Sequence, residues 1–472
     1  MDNLDFVKSI GDNTINYERD QKELLIKAKQ LSPNNILEQL IYIANCLIHE
    51  GYTPEFHLQI TVPPGKKANI FLPMIYDRDY YGFYVDWNDG GNMPEHNTHK
   101  HIYKVLDIEK TYNIKIFGFN IIGYGQEDIS DDEDLQKYLT SVISFGNLGH
   151  KFISLNYAFH KCINNFTVPT SVPSSILYMC GMFRECKSFN QPLNMWNVIN
   201  VIDMSNMFNG CYYFNQPLDL WNTSNIIDMS EMFSNCRSFN HTLNSWNTMN
   251  VTNMEGMFFE CYNFNQPLNL LNTKNVTNMS NMFWECYKFN QPINSWNITN
   301  VENISNMFRY CRKFDQPLDL WDTANITNME GVFYDCNEFN QSLNSWNTEN
   351  VTGIGTMFYN CVKYNQPLDK WNTSNVRNMY FTFKNCGNFN QKLDSWNTSN
   401  VESMCSMFYG CIKFNQPLNS WDVSNVRHIG EMFYGCVMFN QSLNLWNIDK
   451  RCHMANIFID CPIEEKFMFN QL

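Results

Sequence analysis

The sequence predicts an α+β repeat solenoid, with a short helix and a short strand in each 25-residue unit, behind a small all-β sandwich and a helical N-terminal segment. Twelve cysteines recur every 25 residues from Cys186 to Cys461. A phenylalanine lies three residues before each cysteine. A tryptophan lies ten residues after each cysteine from Cys186 to Cys436, except that Leu271 replaces the tryptophan in one repeat. A fixed period of this length is typical of stacked supersecondary units rather than of one globular core.

The helix of each unit is predicted from four apolar residues at positions i, i+3, i+4 and i+7. In one unit these are Met204, Met207, Phe208 and Cys211. Asp203 precedes them, and aspartate is a favoured N-cap. The stretch that follows contains Pro217, which disfavours helix, so we expect it to be extended. Such a unit buries its apolar face only when neighbours stack on both sides.

The N-terminal part of the chain has a different character. Residues 1–52 carry apolar residues at helical spacing and are predicted to be helical. Residues 53–125 contain four runs rich in β-branched and aromatic residues, which we expect to form a small antiparallel β-sandwich. These runs are Phe56–Val62, Ile70–Met74, Tyr81–Val85 and Tyr112–Phe117.

The remaining segments follow from composition and register. Residues 126–140 form an acidic linker, and residues 141–178 a capping repeat that is one residue out of register. The 25-residue repeats then occupy residues 179–463, and a C-terminal cap or tail occupies residues 464–472.

Charge and cysteine usage narrow the class of protein. The formal net charge is −14, which disfavours nucleic acid as a partner. The sequence has no long apolar run and no basic-then-apolar N-terminus, so we expect no membrane insertion and no secretion. An intracellular protein, or a virus-encoded one in the host cytoplasm, is favoured, and we expect a monomer. The repeated cysteines are predicted to form a buried column of free thiols, because packed helices would hold successive rungs roughly 10 Å apart, too far for disulfides.

Asparagine and threonine also recur in columns. The asparagines are neutral amides, whereas calcium sites need carboxylates, so we expect their side chains to bond the backbone of turns. A partial threonine column at Thr223, Thr248, Thr273, Thr323, Thr348, Thr373 and Thr398 is best explained by ordinary β-propensity. Binding of an ordered surface by these threonines is the alternative.

Two variable positions on the outer face of the predicted helix are the candidate binding site. The position after the repeated phenylalanine holds Arg184, Asn209, Ser234, Phe259, Trp284, Arg309, Tyr334, Tyr359, Lys384, Tyr409 and Tyr434. The position after the repeated cysteine holds Lys187, Tyr212, Arg237, Tyr262, Tyr287 and Arg312. Exposed aromatic residues and arginines are typical of binding hot spots. Pairs three residues apart, such as Phe259 with Tyr262, are expected to meet within one unit. Burial of these side chains by neighbouring units is the alternative.

Catalysis finds little support in the sequence. The sequence contains no phosphate loop, dinucleotide fingerprint or nucleophile elbow, so we assign no catalytic residue, cofactor or metal site. His96, His99 and His101 form a His-x-x-His-x-His cluster, which leaves a metal-dependent activity near His96–His101 as the least favoured alternative.

The repeat, Met-Phe-x-x-Cys-x-x-Phe-Asn-Gln-Pro-Leu-x-x-Trp, resembles that of BspA-like leucine-rich repeat surface proteins. The segment around Val85–Gly90 and Tyr112–Gly118 resembles a PKD-like β-sandwich. These resemblances imply a leucine-rich-repeat-like fold used for adhesion or protein binding. We therefore expect a non-enzymatic scaffold that binds an unidentified protein through the variable face. A structural spacer or surface component without a specific ligand is the alternative.

Overall fold

A computed structural model describes residues 27, 30, 55–76, 83–91, 94–118, 121–128, 133–146 and 151–469. The helical prediction for residues 1–52 therefore lies outside the described residues, apart from two isolated positions. The chain divides into two compact units, Met1–Tyr178 and Met179–Leu472.

The described residues of the first unit form nine strands and one short helix. The strands are β1 (Phe56–Val62), β2 (Ala68–Phe71), β3 (Met74–Tyr76), β4 (Tyr84–Asp86), β5 (Glu95–His96), β6 (Lys100–Tyr103), β7 (Lys110–Phe117), β8 (Ile121–Tyr124) and β9 (Leu139–Ser144). The helix α1 (Leu135–Tyr138) directly precedes β9. The predicted strands Phe56–Val62 and Tyr112–Phe117 are confirmed as β1 and the greater part of β7.

These strands form three antiparallel sheets. The largest has the order β5-β4-β7-β1-β9, and the pairs β2-β6 and β3-β8 form the other two. Side chains of β1 alternate between buried and half-buried, as expected for a strand with one face on the core. The segment with the acidic run leads into α1 and β9, and β9 pairs with β1. Beyond β9, parallel bridges join Ser154 to Gly123 and to Tyr178.

The second unit is a stack of 25-residue turns without a helix, so the predicted helix in each repeat is wrong. Among the described residues of this unit, the one helical element is a 3₁₀ turn at Glu465–Phe467. In place of the predicted short strand, each repeat has a single residue in a β-bridge. Parallel bridges link Asp203 to Asp228 and continue from each repeat to the next as far as His453.

Left-handed backbone explains why the helix does not form. Asn206 has φ 57° and Gly210 has φ 78°, and the equivalent positions of later repeats have positive φ as well. A right-handed helix cannot continue through such residues. The chain instead makes consecutive β-turns, in which the N–H of Met207 donates to the carbonyl of Met204 and that of Cys211 to the carbonyl of Phe208. The apolar residues at positions i, i+3, i+4 and i+7 therefore belong to a series of consecutive β-turns rather than to a helix.

Hydrogen bonds between repeats take the place of helical bonds. The N–H groups of Met204, Asn206, Phe208 and Gly210 each donate to a carbonyl of the following repeat. The Asp203 carboxylate accepts the N–H of Ser205 at 2.9 Å, which is a turn contact rather than a helix N-cap. Each repeat thus satisfies its backbone through the next one.

The core consists of columns of identical side chains. Rings of the repeated phenylalanines stack along the array, with centroids 5.7 Å apart between Phe258 and Phe283. The indole N–H of Trp296 donates to the carbonyl of Leu268 at 3.0 Å, and the other repeated tryptophans from Trp221 onward make the same bond. Both columns are buried, which confirms the framework positions read from the sequence.

The repeated cysteines are free thiols, as predicted, and those from Cys186 to Cys436 are buried. The wide rung spacing expected for packed helices is wrong, because successive phenylalanine rings lie only 5.5–5.9 Å apart. The thiols are instead engaged in hydrogen bonds: Cys286 Sγ donates to the carbonyl of Phe258 at 3.0 Å. Burial raises the pKa of the Cys286 thiol well above its ordinary value.

The threonine column is buried too. Thr223 is fully buried, and its hydroxyl donates to the carbonyl of Asn247 at 3.0 Å. Thr273 makes the equivalent bond to Asn297 at 2.8 Å. The alternative of a surface-binding threonine array is therefore wrong.

The C-terminal end of the stack is covered by the chain itself. Phe467 accepts a backbone hydrogen bond from Leu443 at 2.7 Å. The buried ring of Phe469 contacts Trp446 and Phe458. Among the described residues, no helix has the length and apolar character needed to cross a membrane.

Candidate binding surface

Eight residues at the position after the repeated phenylalanine form the first ladder. Each is half-buried, so the outer part of each side chain stays accessible. The first ladder consists of Phe259, Trp284, Arg309, Tyr334, Tyr359, Lys384, Tyr409 and Tyr434.

Contacts in the first ladder run from one repeat to the next. Tyr334 and Tyr359 stack with centroids 4.2 Å apart, and Tyr409 stacks on Tyr434 at 4.6 Å. The Arg309 guanidinium lies over the rings of both Trp284 and Tyr334, at 4.7 and 3.6 Å from their centroids. Such cation–π contacts hold a flexible side chain in one place.

Lys384 and Phe259 extend this arrangement. The Lys384 ammonium lies 4.0 Å from the centroid of Tyr409. The rings of Phe259 and Trp284 contact each other at 5.3 Å. The ladder therefore presents aromatic edges, hydroxyl groups and cations, because its ring faces are largely covered by neighbours.

Six residues at the position after the repeated cysteine form the second ladder. They are Lys187, Tyr212, Arg237, Tyr262, Tyr287 and Arg312. The Arg237 guanidinium lies between the rings of Tyr212 and Tyr262, at 4.3 and 5.1 Å. Tyr262 stacks on Tyr287 at 5.0 Å, and Arg312 lies over Tyr287 at 5.3 Å.

The two ladders are separate, so the expected pairing within one repeat is wrong. Phe259 contacts Trp284, and Tyr262 contacts Tyr287, in each case at the equivalent position of the next repeat. No ring contact joins Phe259 to Tyr262 among the described residues. The left-handed residue Glu260, with φ 55°, lies between these two positions and interrupts the helical geometry that would have aligned them.

Acidic residues provide hydrogen-bond and ion-pair partners for the side chains of the second ladder. Tyr262 donates its hydroxyl hydrogen to Glu260 at 2.9 Å, and Tyr287 donates to Glu285 at 2.5 Å. Arg312 pairs with Asp335 at 2.9 Å. Burial and the hydrogen bond to Glu260 raise the pKa of Tyr262 to about 12. These acidic partners were not expected from the sequence, although they occupy a single position, directly before the repeated cysteine.

The three histidines of the alternative metal cluster have separate partners. The His99 ring bonds the carbonyl of Leu72 at 2.9 Å, His101 stacks on Trp87 at 5.0 Å, and His96 contacts Tyr84. Within the part of the chain that the structure describes, no group of three or more His, Cys, Asp or Glu residues is placed to hold a metal ion.

The asparagine columns bond backbone, as predicted. The amide of Asn225 donates to the carbonyl of Ile199 at 2.8 Å, and Asn215 accepts the N–H of Asn240 at 3.0 Å. Asparagines of one column line a polar groove of about 420 Å³ beside Arg377, Glu402 and Arg427. The side-chain amides of these asparagines already donate hydrogen bonds to backbone carbonyls. The groove is therefore explained by the stacking of the repeats.

A column of exposed apolar residues was also missed. It holds Met195, Leu220, Leu270, Leu320 and Leu445, each more than 60% exposed. Serine occupies the same position in other repeats, for example Ser245 and Ser295. The signal was present in the sequence as an alternation of leucine and serine directly before the tryptophan position.

Comparison with known families assigns the stacked region. Four overlapping segments match the family described as Mycoplasma protein of unknown function, DUF285, at residues 153–270, 214–318, 291–387 and 353–468. These segments cover more than half of the chain. The chain belongs to the DUF285 family. Both ladders lie entirely within its DUF285 repeats. No curated protein matches the chain, and no solved structure does.

Proposed function

We propose that this DUF285 protein is a non-enzymatic scaffold that binds a protein partner through the first ladder. The observation that carries the proposal is the continuity of accessible aromatic and cationic side chains from Phe259 to Tyr434. Tyrosine, tryptophan and arginine are the residues that most often dominate binding energy at interfaces. The resemblance of the repeat to BspA-like proteins supports an adhesion-type role.

The order of the ladder favours binding over a purely structural role. Stacking already fixes Tyr334 against Tyr359 and Arg309 between two rings. Side chains held in this way lose little conformational entropy when a partner binds. A spacer would need only the buried columns, whereas the first ladder adds large residues at a position that core packing leaves free.

Affinity capture with the full chain tests the proposal. The bait is compared with a variant in which the six aromatic members of the first ladder are changed to alanine. These are Phe259, Trp284, Tyr334, Tyr359, Tyr409 and Tyr434. We expect one or more proteins to be captured from cell lysate by the native chain and lost with the variant.

A matched control changes an exposed column elsewhere in the repeat. Leu220, Leu270, Leu320 and Leu445 are replaced by serine, the residue that other repeats carry at this position. The control is expected to keep the partner, and thermal melting establishes that all three proteins are folded. Capture that is equal with the native chain and the ladder variant would favour the spacer role. Loss with the leucine control alone would move the binding surface to that column.

A further inference from the structure

The two ladders differ in how their charges are satisfied. In the second ladder, Arg237 has Glu260 at 3.5 Å and Arg312 has Asp335 at 2.9 Å. In the first ladder, neither Arg309 nor Lys384 forms an ion pair with a carboxylate among the described residues. Cations of the first ladder are thus held in position by aromatic rings rather than by ion pairs with the described carboxylates.

Aromatic rings hold the Arg309 guanidinium in place. Rings of Trp284, Tyr334 and Tyr310 surround the guanidinium at 4.7, 3.6 and 5.2 Å. Among the described residues, its one polar contact is a long bond to Asn306 at 3.5 Å, and its buried Nε atom has no hydrogen-bond partner. A planar guanidinium held in this way is suited to bidentate bonding with a carboxylate.

The framework position that supplies acids to the second ladder supplies none to these two cations. Asp335, directly before the repeated Cys336, already bonds Arg312 through one oxygen and Asn360 through the other. The positions equivalent to Asp335 in the next two repeats are Asn360 and Asn385, which are neutral. This framework position therefore leaves Arg309 and Lys384 without a carboxylate partner among the described residues.

The stack sets the distance between the two cations. They lie three rungs apart, and the phenylalanine rings beside them are spaced at 5.7, 5.9 and 5.5 Å. Over three rungs the phenylalanine column extends about 17 Å, whereas the ladder rings of Tyr334 and Tyr359 are only 4.2 Å apart. The two cations are therefore separated by about four to five residues of extended chain. Tyr334 and Tyr359 fill the interval between the cations.

We infer that the segment Arg309–Lys384 binds an extended acidic peptide of the partner protein, with one carboxylate on Arg309, a second on Lys384 and the intervening residues over Tyr334 and Tyr359. The inference rests on the proposed function and adds the chemistry of the partner to it. A polyphosphate chain offers anions as well, but it carries a charge on every unit, whereas the first ladder offers two cations separated by two tyrosines.

Binding of defined peptides to the full chain tests this inference. Fluorescent peptides of glycine, serine and threonine carry two glutamates separated by one to nine positions, and fluorescence anisotropy measures their affinity. We expect the tightest binding at a separation of about four to five positions. We expect roughly tenfold weaker binding when both glutamates are replaced by glutamine, and a loss of affinity as salt increases.

Variants locate the contact. Arg309→Gln and Lys384→Gln are each expected to weaken the best peptide roughly tenfold. Arg312→Gln, which removes a cation already paired with Asp335, is expected to change its affinity less than about threefold. The Lys384 variant and the salt dependence of the native chain keep the test decisive if the Arg309 variant does not fold.

Three results would overturn the inference. One is equal binding of glutamate and glutamine peptides, and another is an Arg312 variant as weak as the Arg309 variant. The third is tighter binding of a short single-stranded oligothymidylate than of any peptide, which would identify phosphate as the ligand. If the captured partner is still lost with the six-alanine variant, the proposed function stands although the acidic peptide is rejected.

Discussion

Tyr334 and Tyr359 occupy equivalent positions of neighbouring repeats, and their rings stack with centroids 4.2 Å apart and planes inclined by 2°. The contact shows how the stack works, because each position of a repeat faces its own equivalent in the next repeat. A residue type that recurs at one position therefore becomes a continuous column. Buried columns build the core, and half-buried columns build a surface.

Truncation of a core ring should destabilise the stack strongly. Phe283 and Trp296 are buried, and Phe283 stacks on Phe258 at 5.7 Å. Replacement of either by alanine should lower the free energy of unfolding by roughly 3–5 kcal/mol. Leu320→Ala, at a residue 73% exposed, should change it by less than about 0.5 kcal/mol. Urea unfolding measures both, and similar values for core and surface variants would contradict the assigned columns.

Tyr364 should be a weak point of the core. It occupies a phenylalanine position between Phe339 and Phe389, and its buried hydroxyl has no hydrogen-bond partner among the described residues. Tyr364→Phe should raise the free energy of unfolding by about 1 kcal/mol or more, because an unsatisfied buried hydroxyl is removed. The reverse change, Phe339→Tyr, should lower it. A stability loss in Tyr364→Phe, measured by urea unfolding, would show that the hydroxyl is satisfied.

The thiol hydrogen bond should make serine a better substitute than valine at the cysteine column. Cys286 Sγ donates to the carbonyl of Phe258 at 3.0 Å. Serine keeps a donor, so Cys286→Ser should cost about 1 kcal/mol. Cys286→Val removes the donor and adds a branched carbon in a tightly packed column, which should cost about 1–3 kcal/mol. Thermal melts compare the two, and a valine variant as stable as serine would mean that the hydrogen bond contributes little.

Alkaline pH should unfold the stack sharply. Burial raises the pKa of ten column thiols, from Cys211 to Cys436. An unfolded cysteine ionises near pH 8.5, so the unfolded state loses protons first above that pH. Stability is then complete below about pH 8.5 and falls above it by roughly 1.4 kcal/mol per pH unit for each thiol. A melting temperature that stays constant from about pH 8 to pH 10 would contradict a buried column.

The fixed period of the sequence was sufficient to predict the core columns. Repetition at Phe283, Cys286 and Trp296 places each residue against its equivalents, whatever the local backbone conformation is. The burial of the cysteines and the backbone role of the asparagines follow from the same argument, because a stacked repeat must satisfy polar groups within the stack. These features depend on register rather than on secondary structure.

The turn conformation could not be predicted from apolar spacing alone. Met204, Met207, Phe208 and Cys211 fit a helix and a ribbon of turns equally well. The decisive signal was the residue type at the positions with positive φ, where Gly210, Asn235, Gly331 and Gly410 are examples of the frequent glycine and asparagine. Glycine or asparagine recurring inside a short predicted helix indicates left-handed backbone.

The binding surface was predicted by position but not by contact. Sequence reasoning selected Trp284, Arg309 and Tyr334 as variable outer residues, and the structure leaves them half-buried. Helical geometry suggested partners within the same repeat, whereas the stack provides partners in the neighbouring repeats. The distinction between the two ladders depends on Glu260 and Asp335, whose side chains pair with arginines of the preceding repeat. Sequence spacing alone does not predict such contacts between repeats.

Hydroxyl-radical footprinting of the native chain, with and without its captured partner, tests the central claim most directly. The method reports the accessibility of tyrosine, tryptophan and leucine side chains one by one. We predict protection of Trp284, Tyr334, Tyr359, Tyr409 and Tyr434 in the complex, with Leu320 and Leu445 unchanged. Protection of the leucines, with the first ladder still fully reactive, would contradict the assignment of the ladder as the binding surface.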